Sequence, residues 1–590
     1  MTQTSVVQRL VLPGTGFPVP EVLCVRLGKG STIDRETERL MLPKGGTVSF
    51  DTFYNSLSPE AWKRMTVIDT LAFCLRGHGS FRLEVRLHRA GQPDLLLLGQ
   101  EVRPESKDGV TTELPWAQIN DGLLYIRLEA LTDAVIDGGE FTTRTPAARD
   151  VRLGIVITHF NRKPYVLPAI RRIREGLLNC LDYADKISLI VVDNSQTLTP
   201  EETEGAILLP NRNLGGSGGF ARGLLRLSDD GQYTHCLFMD DDASCGIESI
   251  RRAFVLQTFA RNQELAIAGA LLSETDPCLL LEKGATFTRG CARPLHFMRD
   301  MSRVDDLLAT ERTGEPPGYG AWWFFCFDIR KVRAFPFPFF VRGDDILFGL
   351  TNDFQIETLN GIACMGEDFR FKENPTTRYL GLRSALAIAL MMPDVTRVQI
   401  VRMMLGWMLS SLISYNYGSA QAILNAIRDV MKGPSFWLAD MDAALARAEL
   451  APLNAMEKLV PVSLPADFSV AADERESRFR RLTRIVTLNG FLLPGFLLRD
   501  GSPVTDEKSF HGTYSRIFRH RKVLYVCAPA GTGYVAVYDR KRFFRLLAAF
   551  LRIFFLFMLG ESALRRSYRK ALPDMTAKAF WRRIYPGSSA

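Results

Sequence analysis

Long uninterrupted apolar runs are absent from this sequence. A membrane-spanning helix needs about 18 to 20 consecutive apolar residues, and the stretch that comes closest, Phe543 to Leu559, is interrupted by Arg545 and Arg552. The first residues also lack the basic and apolar pattern of a secretory leader. Without either feature, the sequence predicts a cytoplasmic protein.

Paired cysteines and low-complexity segments are absent as well. The ten cysteines are scattered and form no Cys-x-x-Cys pair, so the sequence predicts neither a disulfide framework nor a zinc site. The 46 glycines and 30 prolines are dispersed, which argues against long disordered segments. With 590 residues, the chain is expected to form about three or four domains.

Residues 1–148 have the pattern of an all-β region. Phe81, Leu83, Val85 and Leu87 alternate with polar residues, and Leu124 to Leu128 repeats this period of two. Such alternation places one face of a strand in a core and the other in water. We predict a β-sandwich of jelly-roll type, which either binds sugar and places an acceptor or serves as a scaffold for the next domain.

Residues 149–393 alternate strand and helix patterns. The buried runs 153–158 and 187–193 are separated by a helix pattern that begins near Pro164. This order predicts a doubly wound, Rossmann-like sheet. Residues 394–590 have mainly helical patterns and end in a segment that is both basic and apolar.

Three carboxylates end the apolar run that begins at Cys236. Asp240, Asp241 and Asp242 directly follow Met239, where the carboxyl end of a parallel strand is a usual ligand site. Hard oxygen ligands favour Mg²⁺ or Mn²⁺, which in turn bind phosphate oxygens. An acidic surface turn is the alternative, but the Asp-x-Asp spacing indicates a nucleotide-sugar transferase.

Two further segments are candidates for binding a nucleotide. Asp193 and Asn194 close the second strand, where they either contact a uracil or ribose or form an Asx turn. The glycine-rich segment that includes Gly215 and Gly216 precedes a helix pattern, so its backbone can approach a diphosphate closely. A dinucleotide fingerprint would directly follow the first strand, and that strand leads instead to His159, which disfavours an oxidoreductase.

A second acidic pair lies at Asp344 and Asp345, at the start of an apolar helix pattern. One carboxylate can deprotonate an acceptor hydroxyl while its neighbour raises the pKa of that base; a helix N-cap is the alternative role for Asp344. Trp322 and Trp323 are candidates for a sugar-stacking platform, although paired tryptophans are more often core residues. Glu282 is a weaker acidic candidate.

The tail combines a long apolar segment, residues 540–559, with a basic cluster at residues 565–570. The net charge of the chain is only +8, so this positive charge is local. A helix of this composition lies in a membrane interface with its cations on anionic headgroups; a core helix or a contact in a homo-oligomer is the alternative. We expect peripheral attachment to the inner face of the plasma membrane and no nucleic-acid partner.

Taken in order, six motifs of the central region resemble the bacterial galactofuranosyltransferases. They are His159-Phe-Asn-Arg162, Val192-Asp-Asn-Ser195, Asn213-Leu-Gly-Gly-Ser-Gly-Gly-Phe220, Phe238-Met-Asp-Asp-Asp242, Trp322-Trp323 and Phe340-Val-Arg-Gly-Asp-Asp345. Thr52-Phe-Tyr-Asn55 and Ala61-Trp-Lys-Arg-Met-Thr66 extend the resemblance into the amino-terminal region. These relatives are inverting family 2 enzymes with a GT-A catalytic domain, and they use UDP-galactofuranose to build galactans.

The resemblance implies a role for each candidate residue. Asp240 and Asp242 would hold Mn²⁺ or Mg²⁺, and Asp345 would be the catalytic base, assisted by Asp344. The donor would contact Arg162, Asp193, Asn194, Asn213, Gly215, Gly216 and Asp241. The sugar and a lipid-linked, galactose-terminated acceptor would contact Trp322, Trp323, Glu282 and Arg342.

The chain departs from the family pattern at one metal ligand. Members of the family place a metal-binding histidine after a tryptophan on a later strand, and that position here is Gly366. Glu367 or water is the candidate replacement. Two other functions therefore stay open: transfer of another nucleotide sugar, such as UDP-galactopyranose or dTDP-rhamnose, and a carbohydrate-binding assembly subunit without catalysis.

Overall fold

The amino-terminal region folds into two antiparallel sheets. The computed structural model describes residues 4–16, 19–104, 108–288, 290–312, 314–368, 373–463, 476–506, 514–527 and 530–586. The first elements are β1 (Ser5–Arg9), β2 (Arg26–Gly28), β3 (Thr32–Asp34), β4 (Arg39–Leu42), β5 (Thr47–Ser49), α1 (Pro59–Met65), β6 (Ala72–His78), β7 (Phe81–His88), β8 (Leu95–Val102), β9 (Val110–Glu113), β10 (Leu123–Ala130) and β11 (Ala134–Thr143).

The two sheets share one hydrophobic core. One has the order β3-β4-β11-β6-β9 with β1 beside β11, and the other has the order β2-β5-β10-β7-β8. In β7, Phe81, Leu83, Val85 and Leu87 are buried and pack with Phe73 of the opposite sheet. The alternating apolar side chains of β7 therefore form the contact between the sheets.

Helix α1 attaches this region to the rest of the molecule. The side chain of Ser58 caps its first turn by accepting a hydrogen bond from the amide of Ala61. Trp62 is almost fully buried. Arg64 donates to Glu357 at 2.9 Å, so a charged contact as well as a shared core joins the amino-terminal region to the central one.

The central region contains the doubly wound sheet. Its elements are β12 (Leu153–His159), α2 (Lys163–Ile173), β13 (Ile187–Asp193), β14 (Ala206–Pro210), α3 (Gly215–Asp230), β15 (His235–Asp240), β16 (Ser244–Cys245), α4 (Ile247–Thr258), β17 (Leu265–Ala268), β18 (Ala270–Ser273), β19 (Leu279–Glu282), β20 (Ala285–Thr288), β21 (Cys291–Pro294), β22 (Arg299–Asp300), α5 (Val304–Glu311), β23 (Phe325–Asp328), α6 (Asp344–Thr351), β24 (Gln355–Glu357) and β25 (Ala363–Gly366).

Strand order sets the position of the functional site. The seven-stranded sheet has the order β14-β13-β12-β15-β23-β17-β24, and β12 to β15 are parallel. The chain leaves β12 toward β13 on one side and returns to β15 on the other, which makes the β12–β15 boundary a topological switch point. Ligands bind at such a point, beyond the carboxyl ends of the strands. Strands of the same region form a second sheet with the order β16-β25-β18-β19-β22.

The rest of the chain is mainly helical but also contains a small sheet, and its first helix (Pro375–Met391) lies before the predicted domain boundary at residue 393. Its elements are α7 (Pro375–Met391), α8 (Arg397–Ile413), α9 (Tyr417–Met431), α10 (Ser435–Ala439), α11 (Ala444–Met456), β26 (Val460–Pro461), α12 (Arg478–Val486), β27 (Val504–Thr505), α13 (Tyr514–Ile517), β28 (Lys522–Cys527), β29 (Thr532–Val537), α14 (Arg540–Met575) and α15 (Lys578–Ile584). The four strands form one sheet, which the sequence analysis does not predict, because two of them have only two residues.

Helix α14 is the long basic and apolar segment of the tail. Phe543, Phe550 and Phe557 are buried in the helical core, whereas Leu551 and Phe555 are 53% and 64% exposed. By length and composition alone, α14 is also the one helix in the described part of the chain that could cross a membrane. Its buried side packs on α7 and α9, so this helix has one protein-facing side and one exposed apolar side.

Candidate active site

One cavity of about 550 Å³ contains most of the predicted site residues. It lies at the carboxyl ends of the central strands and extends to the start of α6. The predicted residues that line it are Arg162, Gly216, Asp240, Asp241, Asp242, Glu282, Trp322, Trp323, Arg342, Asp344, Asp345 and Glu367. Asp193, Asn194, Asn213 and Gly215 do not line it.

Asp241 anchors the loop after β12 to the loop after β15. Its carboxylate accepts a hydrogen bond from the backbone amide of Phe160 at 3.0 Å and lies 3.1 Å from Nδ1 of His159. Arg162 lies 3.4 Å from the same carboxylate and also pairs with Asp242. Asp241 therefore fixes the geometry of the switch point, and Arg162 places one cation directly beside the strand-end carboxylates.

Asp240 is in an electrostatically unfavourable position. Burial, together with the negative charges of Asp242, Asp241, Asp344 and Asp345, raises its pKa well above the usual aspartate range. Concentrated negative charge of this kind is relieved when a cation binds. These carboxylates therefore concentrate negative charge at the carboxyl end of β15.

The donor set fits a divalent metal only in part. Asp240 and Asp242 supply hard oxygen ligands that suit Mg²⁺ or Mn²⁺, but no three His, Cys, Asp or Glu side chains among the described residues are arranged to hold a metal. Gly366 lies on the cavity wall where the family pattern has histidine, and Glu367 next to it is exposed.

Asp193 and Asn194 lie at the end of β13 and act on neighbouring loops. Asp193 accepts hydrogen bonds from the amides of Ser195, Thr197 and Leu198 at 2.7 to 2.9 Å, and these bonds lower its pKa in spite of its burial. Asn194 donates to the carbonyl oxygen of Gly215 at 3.2 Å. Asp193 therefore makes the contacts of an Asx turn, while Asn194 joins the end of β13 to the start of α3.

The glycine-rich segment forms the first turn of α3. Gly215 has a φ of 69°, and a Cβ atom there would lie 2.0 Å from the carbonyl oxygen of Phe340, so no other residue fits. The amide of Ser217 donates to the same carbonyl at 3.1 Å, and Asn213 accepts from the amide of Gly215 at 3.0 Å. These contacts hold the start of α3 against the segment that leads to Asp344.

The second acidic pair lies at the start of α6. Asp344 is buried and accepts a hydrogen bond from the hydroxyl of Ser217 at 3.2 Å, while Asp345 accepts from the amide of Ile346 at 2.8 Å. Burial raises the pKa of both carboxyl groups, and the charge of Asp345 adds to the shift at Asp344. A carboxylate with a raised pKa can take up a proton near neutral pH, as a general base must.

Glu282 and Tyr319 complete the acidic side of the cavity. Burial raises the pKa of Glu282 well above its usual range, and the charge of Asp345 adds to this effect. Tyr319 is buried close to both groups, which raise the pKa of its phenol further. Tyr319 is a residue that the sequence analysis missed. Its signal was weak, because it lies in the segment just before Trp322 without any distinctive spacing.

The two tryptophans are core residues that also reach the cavity. Trp322 is 4% exposed and packs edge-on against Phe220 and Phe238. Its indole nitrogen has no hydrogen-bond partner among the described residues. The indole nitrogen of Trp323 donates to the carbonyl oxygen of Gly269 at 2.9 Å. Both tryptophans therefore line the cavity wall, while the indole nitrogen of Trp322 stays buried in the core.

The fold and the site together are typical of a nucleotide-sugar glycosyltransferase: parallel strands end in carboxylates at a switch point, beside a glycine-rich helix start. The chain is 24% identical over 632 residues to galactofuranosyltransferase GlfT2 of Mycobacterium tuberculosis, with 98% of this chain and 97% of the relative covered. It is also 24% identical to galactofuranosyltransferase GlfT2 of Mycolicibacterium smegmatis, with 98% and 96% covered. This similarity confirms the resemblance to the bacterial galactofuranosyltransferases.

Two solved structures match part of the chain at low TM-scores. A structure of GalNAc-T7 with UDP, GalNAc and Mn²⁺ has a TM-score of 0.31 and 6% identity, covering 42% of this chain and 49% of the other. Glucosyl-3-phosphoglycerate synthase of Mycobacterium tuberculosis with Mn²⁺ and UDP-glucose has a TM-score of 0.27 and 12% identity, covering 41% and 79%. No protein-family model matches the chain.

Proposed function

We propose that this protein is an inverting glycosyltransferase that moves galactofuranose from UDP-galactofuranose to a galactose-terminated, lipid-linked glycan. The observation that carries the proposal is that Asp240, Asp242, Asp344 and Asp345 all line one cavity. The sugar is taken from the two relatives, which are galactofuranosyltransferases and align with nearly the whole chain.

The donor would bind on the strand-end side of the cavity. Arg162 and the backbone at Gly216 line that side, where a guanidinium and a helix start both favour a diphosphate. Asp240 and Asp242 would hold Mn²⁺ or Mg²⁺, which when bound neutralises charge that develops on the UDP leaving group. Asp241 would act through Arg162, by fixing the guanidinium beside the diphosphate.

Asp345 would be the base. The hydroxyl oxygen of the acceptor attacks the anomeric carbon, the bond from that carbon to the UDP oxygen breaks, and the hydroxyl proton passes to the Asp345 carboxylate. A single displacement inverts the anomeric carbon, so no bond forms between the sugar and the protein. Asp344, which accepts a hydrogen bond from Ser217, would orient the sugar.

The acceptor would enter from the side of the tryptophans. Trp322 lines this side of the cavity, and the face of an aromatic ring is a suitable surface for the apolar side of a sugar. Trp323, Glu282 and Arg342 line the same side. Together they offer an apolar face with a few polar groups, which is the usual composition of a sugar site.

The exposed apolar side of α14 would bind the membrane surface. Leu551, Phe555 and Leu559 are 53 to 71% exposed, and Arg545 and Arg552 are exposed on the same helix. Apolar side chains with interspersed cations suit an anionic membrane surface. This attachment would hold the protein on the inner face of the plasma membrane, next to a lipid-linked acceptor. A contact between copies of the chain is the alternative use of this surface.

Transfer of another nucleotide sugar is the second candidate within the class, and a carbohydrate-binding subunit without catalysis is the third. The glycine at position 366 favours the third candidate, because it removes the histidine ligand that the family pattern has there. These candidates differ in what the protein does with a donor.

The test is a transfer assay with a synthetic galactose-terminated lipid and a panel of donors. UDP-galactofuranose, UDP-galactopyranose and dTDP-rhamnose would each be supplied with Mn²⁺ or with EDTA. The proposal expects product from UDP-galactofuranose with Mn²⁺ and far less with EDTA. Product from a different donor would support the second candidate. Glycan binding without any transfer or release of UDP would support the third.

A further inference from the structure

The carboxyl-terminal residues of the described chain contact the glycine-rich start of α3. The hydroxyl of Tyr585 donates to the carbonyl oxygen of Gly218 at 3.1 Å, a contact across 367 positions of sequence. We propose that Tyr585 is a positioning residue for the donor site: it holds the Gly215–Gly218 turn in the conformation that receives the diphosphate. This inference rests on the proposed function of that turn.

Tyr585 is connected to the turn directly at Gly218 and, through two asparagines, at Gly215. It contacts Gly218 directly, and its hydroxyl also lies 3.4 Å from the side-chain nitrogen of Asn211. Asn211 in turn donates to Asn194 at 2.8 Å, and Asn194 donates to the carbonyl oxygen of Gly215 at 3.2 Å. One phenol hydroxyl is thus the shared member of a network that fixes the first and last residues of the turn.

The shape of the turn is matched to this hydroxyl. A Cβ atom at position 218 would lie 2.9 Å from the Tyr585 hydroxyl oxygen and 2.3 Å from Cβ of Leu214. Glycine at this position therefore permits both the tight turn and the approach of the tyrosine. The tyrosine is 8% exposed, so water does not readily replace its hydrogen bonds.

The rest of the segment holds Tyr585 in place. The ring of Tyr585 stacks on Trp581 with centroids 5.8 Å apart and lies 5.1 Å from the guanidinium of Arg222. Trp581 is fully buried and donates to the carbonyl oxygen of Pro336 at 2.8 Å. The segment from Pro336 leads to Asp344, so α15 touches both the donor turn and the chain that carries the acidic pair.

The test compares two tyrosine-to-phenylalanine variants. Tyr585→Phe removes the two hydroxyl contacts and keeps the ring, its stacking and its cation–π contact. Tyr568→Phe is the matched control, because the Tyr568 hydroxyl also makes two buried hydrogen bonds, to Val430 and from Trp437, within the helical core. Calorimetric titration with UDP and Mn²⁺ is expected to show binding weakened about threefold to tenfold in Tyr585→Phe and unchanged in Tyr568→Phe.

Two further readouts separate positioning from general stability. The KM for the donor should rise in Tyr585→Phe while the KM for the acceptor stays the same. Hydrogen exchange of the amides at 215–219, measured without any ligand, should be faster in Tyr585→Phe than in the wild type or in Tyr568→Phe. Unchanged exchange in Tyr585→Phe, or equal UDP weakening in both variants, would overturn the inference.

Failure of the proposed function would give a different result. In that case the folded wild-type protein would not bind UDP, and the exchange experiment would still decide whether Tyr585 holds the turn. If Tyr585→Phe fails to fold, Asn211→Ala tests the same network from its other member. The inference expects faster exchange at 215–219 in that variant, and unchanged exchange would overturn it.

Discussion

The two acidic sides of the cavity differ in how their charges are compensated. On the strand-end side, Asp241 contacts the amide of Phe160, the ring of His159 and the guanidinium of Arg162, and Asp242 also pairs with Arg162. On the α6 side, Asp344 and Asp345 are bonded to Ser217 and to a backbone amide, and burial raises the pKa of both. On the strand-end side, the carboxylates are suited to stay ionised and to bind cations. On the α6 side, a carboxylate is suited to take up and release a proton.

Asp240 lies between these two kinds of carboxylate. It belongs to the strand-end group by position, yet its pKa is raised by burial and by the charges of both groups. A bound cation would stabilise the ionised form of Asp240, so that its charge would be compensated like the charges of Asp241 and Asp242. The comparison therefore predicts that the two sides respond differently when a carboxylate is neutralised.

Asp345→Asn should have the largest effect. The amide keeps the shape of the side chain but cannot accept a proton, so transfer should fall about 10²-fold to 10⁴-fold, while UDP binding stays close to the wild-type value. Asp353→Asn is the matched control, because Asp353 is an exposed carboxylate paired with Arg333. Transfer near the wild-type rate in Asp345→Asn would show that Asp345 is not the base.

Asp240→Asn should weaken metal and donor binding on the strand-end side of the cavity. Loss of a ligand should weaken Mn²⁺ and UDP binding together, by about tenfold to a hundredfold, and the residual transfer should respond less to EDTA. The measurement is calorimetric titration of UDP with and without Mn²⁺. If UDP binding in Asp240→Asn still depends on Mn²⁺ as it does in the wild type, the ion is not held by this carboxylate.

Replacement of the exposed apolar residues of α14 should detach the protein from membranes without altering either side of the cavity. Burial of one such side chain contributes about 1.5 to 3 kcal/mol, so Phe555→Ser with Leu559→Ser should lower binding to anionic vesicles at least about tenfold. Leu181→Ser is the control, because Leu181 is 97% exposed in the central region. Equal vesicle binding by both variants would exclude α14 as the attachment site.

Gly366→His should strengthen metal binding on the strand-end side of the cavity. A Cβ atom at this position would meet only the end of the Leu271 side chain, at 3.0 Å, so a side chain can be accommodated with a small shift. The imidazole would supply the ligand that the family pattern has here, and Mn²⁺ affinity should rise about tenfold. A competition titration against a chelator measures it, and unchanged or lower affinity would show that position 366 does not face the ion.

The pH dependence of transfer should reveal the pKa of the base on the α6 side of the cavity. Burial raises the pKa of Asp345 to about 6, and the base must be deprotonated. Transfer measured as kcat/KM should therefore be constant above this pKa and fall about tenfold for each pH unit below it. A profile that is flat down to pH 4.5, with the protein shown to be folded there, would contradict a proton acceptor with a raised pKa.

The sequence predicted the parts of the site that depend on local pattern. Asp240 and Asp242 follow an apolar strand, and Asp344 and Asp345 precede an apolar helix, so each pair could be placed at the end of an element. The fold then places both pairs in the lining of one cavity. Residues that lack such a pattern, such as Tyr319, could not be identified.

Long-range contacts set the limit of the sequence analysis. The carboxylate of Asp193 carries the same strand-end signal as Asp240, but only the structure shows that its own loop satisfies it. The contact between Tyr585 and Gly218 joins segments 367 positions apart, and nothing in either segment indicates the other. Such pairings depend on the packing of α15 against α3, which has no local sequence signature.

The most direct test of the central claim is the anomeric configuration of the product. The wild-type protein would be supplied with UDP-galactofuranose, Mn²⁺ and the galactose-terminated lipid, and the new linkage would be examined by NMR. We predict a galactofuranosyl residue whose anomeric configuration is opposite to that of the donor, because one displacement assisted by Asp345 inverts that carbon. A product with retained configuration, or no product from the folded protein, would contradict the account.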